Sequence, residues 1–394
     1  MKVLLTTDTI GGVWSYAIEL ARATAPLGME FIFATMGKPL SVAQWRQAGE
    51  LRNVLVRQSH YKLEWMPECW PDVQAAGDWL IELERETQPD VVHLNGYAHG
   101  RWPFISPTLV VAHSCVLSWW SAVRRESAPR DWDRYRTEVS AGLRSADRVI
   151  APTRAMLAML KAHYGPLPTA AAIYNGCDPS RFQRAGAKAP FVLSAGRLWD
   201  DAKNIRLLDQ AAPRVPWPIK VAGERTPPDG SASRREQNVV MLGQQDQAAM
   251  ARLLAQASIY CLPARYEPFG LSILEAAMSG CALVVGDLPT LREVWEDAAI
   301  YVQPDDAEAL ALSLRRLIDD PAERESRARQ AQARSQLYTA ATMAERYVQL
   351  YRELTSRARN SLEFAVPPWD LPPTGAAIDE ILEKVWTLDG AQSA

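Results

Sequence analysis

Two glutamates eight residues apart lie beside a Pro/Gly turn and the expected start of a helix, in the segment EPFGLSILEAAMSG (267–280). The helix is expected to begin at about Leu271, which places Glu267 on the preceding loop and Glu275 about one turn inside. Gly270 permits a close backbone approach, and the free amides at a helix start bind anions. This arrangement suits a ligand with both phosphates and hydroxyl groups. In the alternative interpretation, Glu267 is solvated and Glu275 is an exposed helix residue paired with a basic neighbour.

A second loop, GRLWDDAKN (196–204), carries two cations six residues apart, Arg197 and Lys203, where an expected strand ends. A guanidinium fork and an ammonium group at this place suit a diphosphate. The alternative is ordinary surface charge, because Asp200 and Asp201 on the same loop could neutralise both cations.

A glycine pair, Gly11 and Gly12, joins the first expected strand to its helix in the segment DTIGGVW (8–14). The segment lacks the G-x-G-x-x-G pattern, so the dinucleotide fingerprint fails and a nicotinamide dehydrogenase is nearly excluded. The glycine pair either lets a ligand approach the backbone or forms a tight connection.

Two histidines end expected strands, His113 in VVAH and His93 in VVHL. By itself His113 fits a buried histidine that is hydrogen-bonded to the backbone, or else a residue of a ligand cleft. His93 is either a cleft residue or a support for one. The other histidines and the five cysteines have no partners at metal-ligand spacing, so no metal site is expected.

Aromatic and basic side chains near the same strand ends could serve an acceptor. Trp14, Trp119 and Trp120 either reach one cleft as a stacking platform for a sugar or pack in the core. A basic cluster nearby either is a solvated helix face or meets an anionic acceptor or a lipid surface, so peripheral membrane contact stays open. The cluster consists of Arg124, Arg125, Arg130, Arg134 and Arg136.

The elements that must position these residues alternate between short apolar strands and helices, which predicts an α/β fold with mostly parallel sheets. A Pro/Gly-rich break near 165–190 divides the pattern, so two Rossmann-like sheets fit better than one large sheet. The expected strands are Lys2–Thr7, Phe31–Ala34, Val54–Arg57, Val91–Leu94, Leu109–Ala112 and Arg148–Ala151, and then Phe191–Ser194, Ile219–Ala222, Val239–Leu242, Ile259–Leu262, Leu283–Val285 and Ile300–Val302.

Composition narrows the class of protein. The chain has 394 residues, 48% of them apolar, and 43 basic against 46 acidic side chains. This composition supports a sizeable core and gives no general attraction to nucleic acid. No stretch approaches the ~20 apolar residues of a membrane span, and the N terminus becomes polar too soon for a signal peptide. Five scattered cysteines without a C-x-x-C pair favour a reducing, cytoplasmic location.

Several of these motifs together resemble glycosyltransferase family 4. The resemblance rests on EPFGLSILEAAMSG, on GGVW at the first strand end, on GRLWDDAKN and on YNGCD before the second sheet. It extends over residues 1–357 and is dense from 191 to 305. It implies the GT-B fold, in which two Rossmann-like domains face each other across a cleft, and a retaining, metal-independent transfer of a sugar from a nucleotide-diphosphate sugar.

The resemblance also implies a role for each motif. Arg197 and Lys203 would bind the diphosphate, and Glu275 would hold the ribose hydroxyls. Glu267 and His113 would contact the donor sugar. The remaining contacts to the donor would come from the Gly11-Gly12 turn and the backbone of Phe269, Gly270 and Leu271. One departure is Lys203-Asn204, where the family more often has Lys-Gly.

The expected domains follow from the break and the resemblance together. They are an N-terminal acceptor-side domain (1–165), a hinge (166–190), a C-terminal donor-side domain (191–340), a crossover helix back to the first domain (341–357), and a Pro-rich linker with a terminal amphipathic helix (358–394). No cofactor is expected besides the nucleotide-sugar donor substrate. The acceptor is a glycan, a glycolipid or a small molecule. The alternatives are a non-catalytic nucleotide-sugar sensor and a related GT-B phosphorylase or epimerase.

Overall fold

The computed structural model of the protein describes residues 1–182, 186–227 and 236–365, with side chains described as far as residue 356. Within these residues the chain forms two parallel sheets. The first has the order β3-β2-β1-β4-β5-β6-β7 and the second the order β10-β9-β8-β11-β12-β13. The strands are β1 (Lys2–Asp8), β2 (Glu30–Met36), β3 (Val54–Gln58), β4 (Val91–Leu94), β5 (Thr108–Val111), β6 (Arg148–Ala151), β7 (Ala170–Ala172), β8 (Ala189–Ala195), β9 (Ile219–Ala222), β10 (Val240–Gly243), β11 (Ala257–Leu262), β12 (Ala282–Gly286) and β13 (Ala299–Val302).

Helices cover both faces of each sheet, which is why the strands are near-continuous apolar runs. The helices of the first domain are α1 (Gly12–Thr24), α2 (Val42–Gly49), α3 (Trp70–Thr87), α4 (Val116–Trp119), α5 (Asp133–Ser145) and α6 (Arg154–Tyr164). Those that follow are α7 (Ile205–Ala211), α8 (Gln247–Gln256), α9 (Leu271–Met278), α10 (Pro289–Trp295), α11 (Ala307–Asp319), α12 (Pro321–Ser335) and α13 (Ala340–Ala365).

The chain returns to the first sheet through α13. The preceding helix α12 ends at Ser335, and Thr339 caps the new one by accepting a hydrogen bond from the amide of Thr342 at 3.1 Å. As far as Leu354, the buried side chains of α13 pack into the same core cluster as β1, β2 and α1. One compact unit, Met1–Leu354, therefore contains both sheets and the start of this helix.

The expectation of two Rossmann-like sheets is confirmed, with two differences at the boundaries. Residues 170–172, within the expected hinge, form strand β7, which pairs with β6 as the last strand of the first sheet. Helix α13 continues to Ala365 and so does not end at 357. The expected Pro-rich linker and terminal amphipathic helix, from 366 onward, lie outside the described residues.

None of the helices in the described part of the chain combines the length and the apolar character of a membrane span.

Candidate functional site

The two sheets place the expected site residues at their carboxyl edges. Gly11 and Gly12 follow β1, and a Cβ placed on Gly11 would lie 3.2 Å from Nη1 of Arg197, which follows β8. A Cβ on Gly12 would lie 3.8 Å from Cδ1 of Leu271, at the start of α9. The glycine turn of the first domain thus lies directly against Arg197 and Leu271 of the second domain, and a side chain on Gly11 would crowd Arg197.

Both expected diphosphate-binding cations are paired with carboxylates. Arg197 donates from Nη2 to Oδ2 of Asp200 at 3.1 Å, and Lys203 donates from Nζ to Oε2 of Glu267 at 2.6 Å. The Lys203 and Glu267 side chains are only 14% and 12% exposed. Loop 196–204 and the start of the EPFG segment are therefore held together by a largely buried ion pair.

Asp200 is a structural part of this loop. Burial would raise its pKa, but the charges of Arg197 and Lys203, with hydrogen bonds from Trp119 and Ala202, outweigh burial and lower it. The indole of Trp119, on α4 of the first domain, donates to Oδ1 of Asp200 at 2.9 Å. In the alternative interpretation Asp200 and Asp201 neutralise both cations. Asp200 does pair with Arg197, but Lys203 pairs with Glu267, and Asp200 also links the domains.

Asn204, which follows Lys203 where the family more often has glycine, has a structural explanation. Asn204 adopts the left-handed conformation, with φ of 55°, which asparagine tolerates better than most residues with a side chain. Its amide nitrogen also donates to the carbonyl oxygens of Pro263, at 2.9 Å, and Pro304, at 2.7 Å. Asparagine thus preserves the glycine-like backbone of the turn and ties it to two neighbouring loops.

The EPFG segment forms the N terminus of α9 as expected. Gly270 caps the helix with a φ of 91°, and a Cβ there would lie 2.7 Å from Cδ1 of Ile273. Phe269 is buried, and its amide points toward Oε1 of Glu267 at 3.5 Å. The helix start is thus rigid, and its first amides lie beside the Lys203–Glu267 pair.

Glu275 lies one turn inside α9 and is half-buried. Burial raises its pKa to about 7, an effect that the positive charge of Arg181 opposes. Its carboxylate makes no side-chain hydrogen bond to the other described residues, and Arg181 pairs with Glu19 instead. A partly desolvated acceptor without a donor is suited to ligand hydroxyl groups.

Asp8 is a cleft residue that the sequence pattern did not single out, although it lies in the DTIGGVW motif. Its Oδ1 accepts from the amide of Ile10 at 2.5 Å. Burial raises its pKa, and the nearby Arg197 opposes that rise. Its position as the last residue of β1, a strand-end carboxylate, is the signal that could have identified it.

His113 follows β5 and is held by a neighbouring strand end. Its Nε2 lies 2.8 Å from Oδ1 of Asn95, which follows β4, and its ring packs against Tyr16 at 4.5 Å. Burial lowers the pKa of His113 to about 3, so the imidazole is neutral at ordinary pH. His93 is fully buried beneath it, so it supports the cleft and does not line it.

Of the two alternatives for Trp14, Trp119 and Trp120, a shared platform of all three is not formed. Trp14 is 4% exposed, packs edge-on against Phe33 and donates to Gln47 at 2.6 Å, so it is a core residue. Trp119 and Trp120 are half-buried and contact each other edge-on at 5.8 Å. Of the three, only this pair remains near the domain boundary.

The basic cluster is partly an inter-domain contact. Arg124 pairs with Asp201 at 2.8 Å, and Arg125 pairs with Asp305, both on the second domain. The hydroxyl of Tyr266 accepts from the amide of Cys115 at 3.0 Å, and its ring lies in the core of the first domain. Residues of the second domain before and after the EPFG segment, as well as Asp201 on the loop 196–204, therefore contact the first domain.

No group of three or more histidine, cysteine, aspartate or glutamate side chains in the described ranges is arranged to hold a metal ion.

Comparison with known families accounts for this arrangement. The family described as Glycosyltransferase Family 4 matches residues 10–181, and the family described as Glycosyl transferases group 1 matches residues 179–334. The chain belongs to glycosyltransferase family 4. The two matched regions meet in the segment between the two sheets, so each domain of this family 4 chain is matched separately.

Relatives agree with this assignment. A glycogen synthase of Mycobacterium tuberculosis is 29% identical over 279 residues, which is 64% of this chain and 66% of that enzyme. This chain thus spans slightly less than two thirds of that relative. Sucrose-phosphate synthase from Thermosynechococcus elongatus superposes with a TM-score of 0.75 at 21% identity, covering 91% of this chain and all of that one. Anabaena HepE in complex with UDP-glucose superposes with a TM-score of 0.72 at 18% identity, covering 90% and 100%. These two structures show that the fold is GT-B.

Proposed function

We propose that this family 4 chain transfers a sugar from a nucleoside-diphosphate sugar to a hydroxyl acceptor, without a metal ion and with retention of anomeric configuration. The observation that carries the proposal is the pairing of Lys203 with Glu267 beside the start of α9, opposite a glycine turn. A cation, a carboxylate and free helix amides at one place can bind a phosphate and a sugar hydroxyl together.

Diphosphate binding would exchange ion pairs. Lys203 and Arg197 turn from Glu267 and Asp200 toward the phosphates, and Glu267 becomes free to accept hydrogen bonds from hydroxyls of the sugar. Because carboxylates already neutralise the cations, the empty site does not hold unpaired buried charge, which is costly. The two cations supply the positive charge that a divalent metal supplies in other sugar transferases.

The leaving group gains most from these contacts. Breaking the glycosyl–phosphate bond increases negative charge on the β-phosphate, so cations in contact with it stabilise the transition state more than the bound donor. The amides of Phe269, Gly270 and Leu271 add donors at the helix start.

The rest of the donor would extend along α9 and toward the first domain. Glu275, which makes no hydrogen bond to other described side chains, accepts from the ribose hydroxyls. Neutral His113 faces the donor sugar, and the backbone of Gly11 and Gly12 approaches it closely. The solved complex of HepE with UDP-glucose supports a nucleoside-diphosphate sugar as the donor class.

The five cysteines, all free and buried, support the cytoplasmic location that belongs to this proposal.

The test combines the purified full chain with a panel of nucleoside-diphosphate sugars and with pools of glycan, glycolipid and small-molecule acceptors, in excess chelator. We expect nucleoside diphosphate to be released only when an acceptor is present. NMR of the product should show the same anomeric configuration as in the donor. Binding of the donor without turnover would indicate a sensor, and an inverted product or a requirement for magnesium or manganese would contradict the proposed mechanism.

A further inference from the structure

Asn95 lies between the two strand-end histidines, and its orientation is determined by the backbone. Its side-chain amide nitrogen donates to the carbonyl oxygen of Thr6 at 2.7 Å, and its own backbone amide donates to Oγ1 of Thr6 at 2.8 Å. A carbonyl oxygen only accepts hydrogen bonds, so the NH₂ group of Asn95 must face Thr6. Its Oδ1 must then face the imidazoles.

Oδ1 of Asn95 lies within hydrogen-bond distance of both imidazoles, and in each ring the nearest nitrogen is Nε2. Nε2 of His93 lies 3.1 Å away, and Nε2 of His113 lies 2.8 Å away. Because an amide oxygen has no proton to donate, each Nε2 must carry one. Two neutral imidazoles protonated on Nε2 satisfy both contacts.

The last helix completes this network. The hydroxyl of Tyr351, on α13, lies 2.7 Å from Nδ1 of His93 and donates to it, because Nε2 of that ring already carries the proton. The ring of Tyr347 stacks on His93 at 5.5 Å and 27°. The one other titratable side chain that the structure records against His113, Tyr16, has a pKa raised by burial and is also neutral.

We propose that Asn95, supported by His93 and by Tyr351 of the returning helix, holds the proton of His113 on Nε2 and so presents its Nδ1 to the cleft as a hydrogen-bond acceptor. His113 can then accept a hydrogen bond from a hydroxyl group and cannot donate one through Nδ1. That this hydroxyl belongs to the donor sugar rests on the proposed function. Asn95, His93 and Tyr351 are positioning residues, since they act through His113.

Ring-nitrogen NMR of the ¹⁵N-labelled, ligand-free full chain tests the inference directly. His113→Gln and His93→Gln assign the two signals among the five histidines. Expected for His113 is a neutral ring protonated on Nε2 from pH 6 to 8, consistent with a pKa that burial lowers to about 3. A ring protonated on Nδ1, or doubly protonated at pH 6, would overturn the inference. Because no ligand is present, this outcome is independent of whether the protein transfers sugars.

Two variants separate positioning from stability. Asn95→Asp places a carboxylate against both imidazoles, and we expect a second proton on His113, with turnover at least tenfold lower and the fold retained. Tyr351→Phe removes the hydroxyl that bonds Nδ1 of His93, and we expect kcat to fall about three- to tenfold with an unchanged affinity for free nucleoside diphosphate.

The control for Tyr351→Phe is Tyr301→Phe, on β13, which likewise removes a tyrosine hydroxyl with a hydrogen bond, in this case to the backbone carbonyl of Glu296 at 2.6 Å. The control should leave kcat and the His113 signal unchanged, whatever its effect on Tm. Equal kcat for the two tyrosine variants, or an Asn95→Asp protein with a neutral His113 and normal turnover, would show that the network is structural only.

Discussion

The two domains contribute opposite kinds of side chain to the cleft. The second domain supplies charge, with Lys203 and Glu267 paired at 2.6 Å and Arg197 and Asp200 at 3.1 Å. The first supplies a bare glycine turn and a neutral His113, whose pKa burial lowers to about 3. A phosphate leaving group needs charge, and hydroxyl groups bond to charged as well as neutral acceptors. Under the proposed function, the second domain binds the phosphates and also supplies Glu267 and Glu275 to hydroxyl groups, while the first domain adds one neutral acceptor, His113, at the sugar.

The largest effect is expected from removing the charge of the second domain. Arg197→Ala and Lys203→Ala should each lower turnover by about 10²–10³, while donor affinity falls much less, because the contacts strengthen as the leaving phosphate gains charge. Steady-state kinetics together with calorimetry of the donor provide the measurement. Arg206→Ala, an exposed arginine at the start of α7, is the control and should change neither quantity. Folded variants with normal turnover would remove both cations from the mechanism.

A smaller effect, on binding, is expected at Glu275. Glu275→Ala should weaken the binding of free nucleoside diphosphate about 10- to 100-fold, since a hydrogen bond to a charged group is worth about 1.5–3 kcal/mol. Calorimetry measures this affinity in the absence of any sugar. An unchanged dissociation constant would exclude the ribose role, and a drop in turnover alone would move Glu275 to the sugar end of the site.

The same residue predicts a pH dependence. The pKa of Glu275 is raised to about 7 by burial, and ribose hydroxyls bond more strongly to the ionised form. Binding therefore lowers this pKa, and affinity should rise by up to about tenfold from pH 6 to pH 8. Glu275→Gln is the control, since the dependence that remains in it belongs to the phosphates. If wild type and Glu275→Gln vary with pH in parallel, Glu275 does not titrate with binding.

The smallest effect is expected at the neutral turn of the first domain. In Gly11→Ala the new methyl group lies 3.2 Å from Nη1 of Arg197, the end of a flexible side chain that can move. Tm should change little, and KM for the donor should rise two- to threefold because Arg197 is displaced, a cost of about 0.5 kcal/mol. A loss of turnover as large as that expected for Arg197→Ala would mean that the first domain also takes part in binding the phosphates, and the two domains would then not differ in this role.

Local sequence rules predicted much of the second domain. Parallel strands covered by helices have continuous apolar runs, and the start of α9 follows from the Pro/Gly turn before Leu271. These rules depend on neighbours within a few residues, so Arg197, Lys203, Glu267 and Glu275 could all be assigned to strand ends and a helix start. What the rules could not predict is which carboxylate pairs with which cation, because Lys203 and Glu267 are 64 residues apart.

The first domain was less predictable for the same reason. His93 and Tyr351 are separated by 258 residues and meet only because the last helix packs against β1 and α1. Asn95 belongs to no pattern that distinguishes a site residue from a strand-end residue, and Asp8 was not singled out although it is a strand-end carboxylate. Trp14 follows the glycine turn but points into the core. Residues two positions apart at a helix start lie on different faces of the helix, so closeness in sequence to the turn does not place a side chain at the site.

A crystal structure of the full chain with a bound nucleoside diphosphate tests the proposed exchange of ion pairs most directly. We predict that Nζ of Lys203 leaves Glu267 and lies within hydrogen-bond distance of the β-phosphate, that Arg197 contacts the same diphosphate, and that the ribose hydroxyls bond to Glu275. A bound diphosphate with the Lys203–Glu267 pair still closed at 2.6 Å, or one that is bound away from the start of α9, would contradict it.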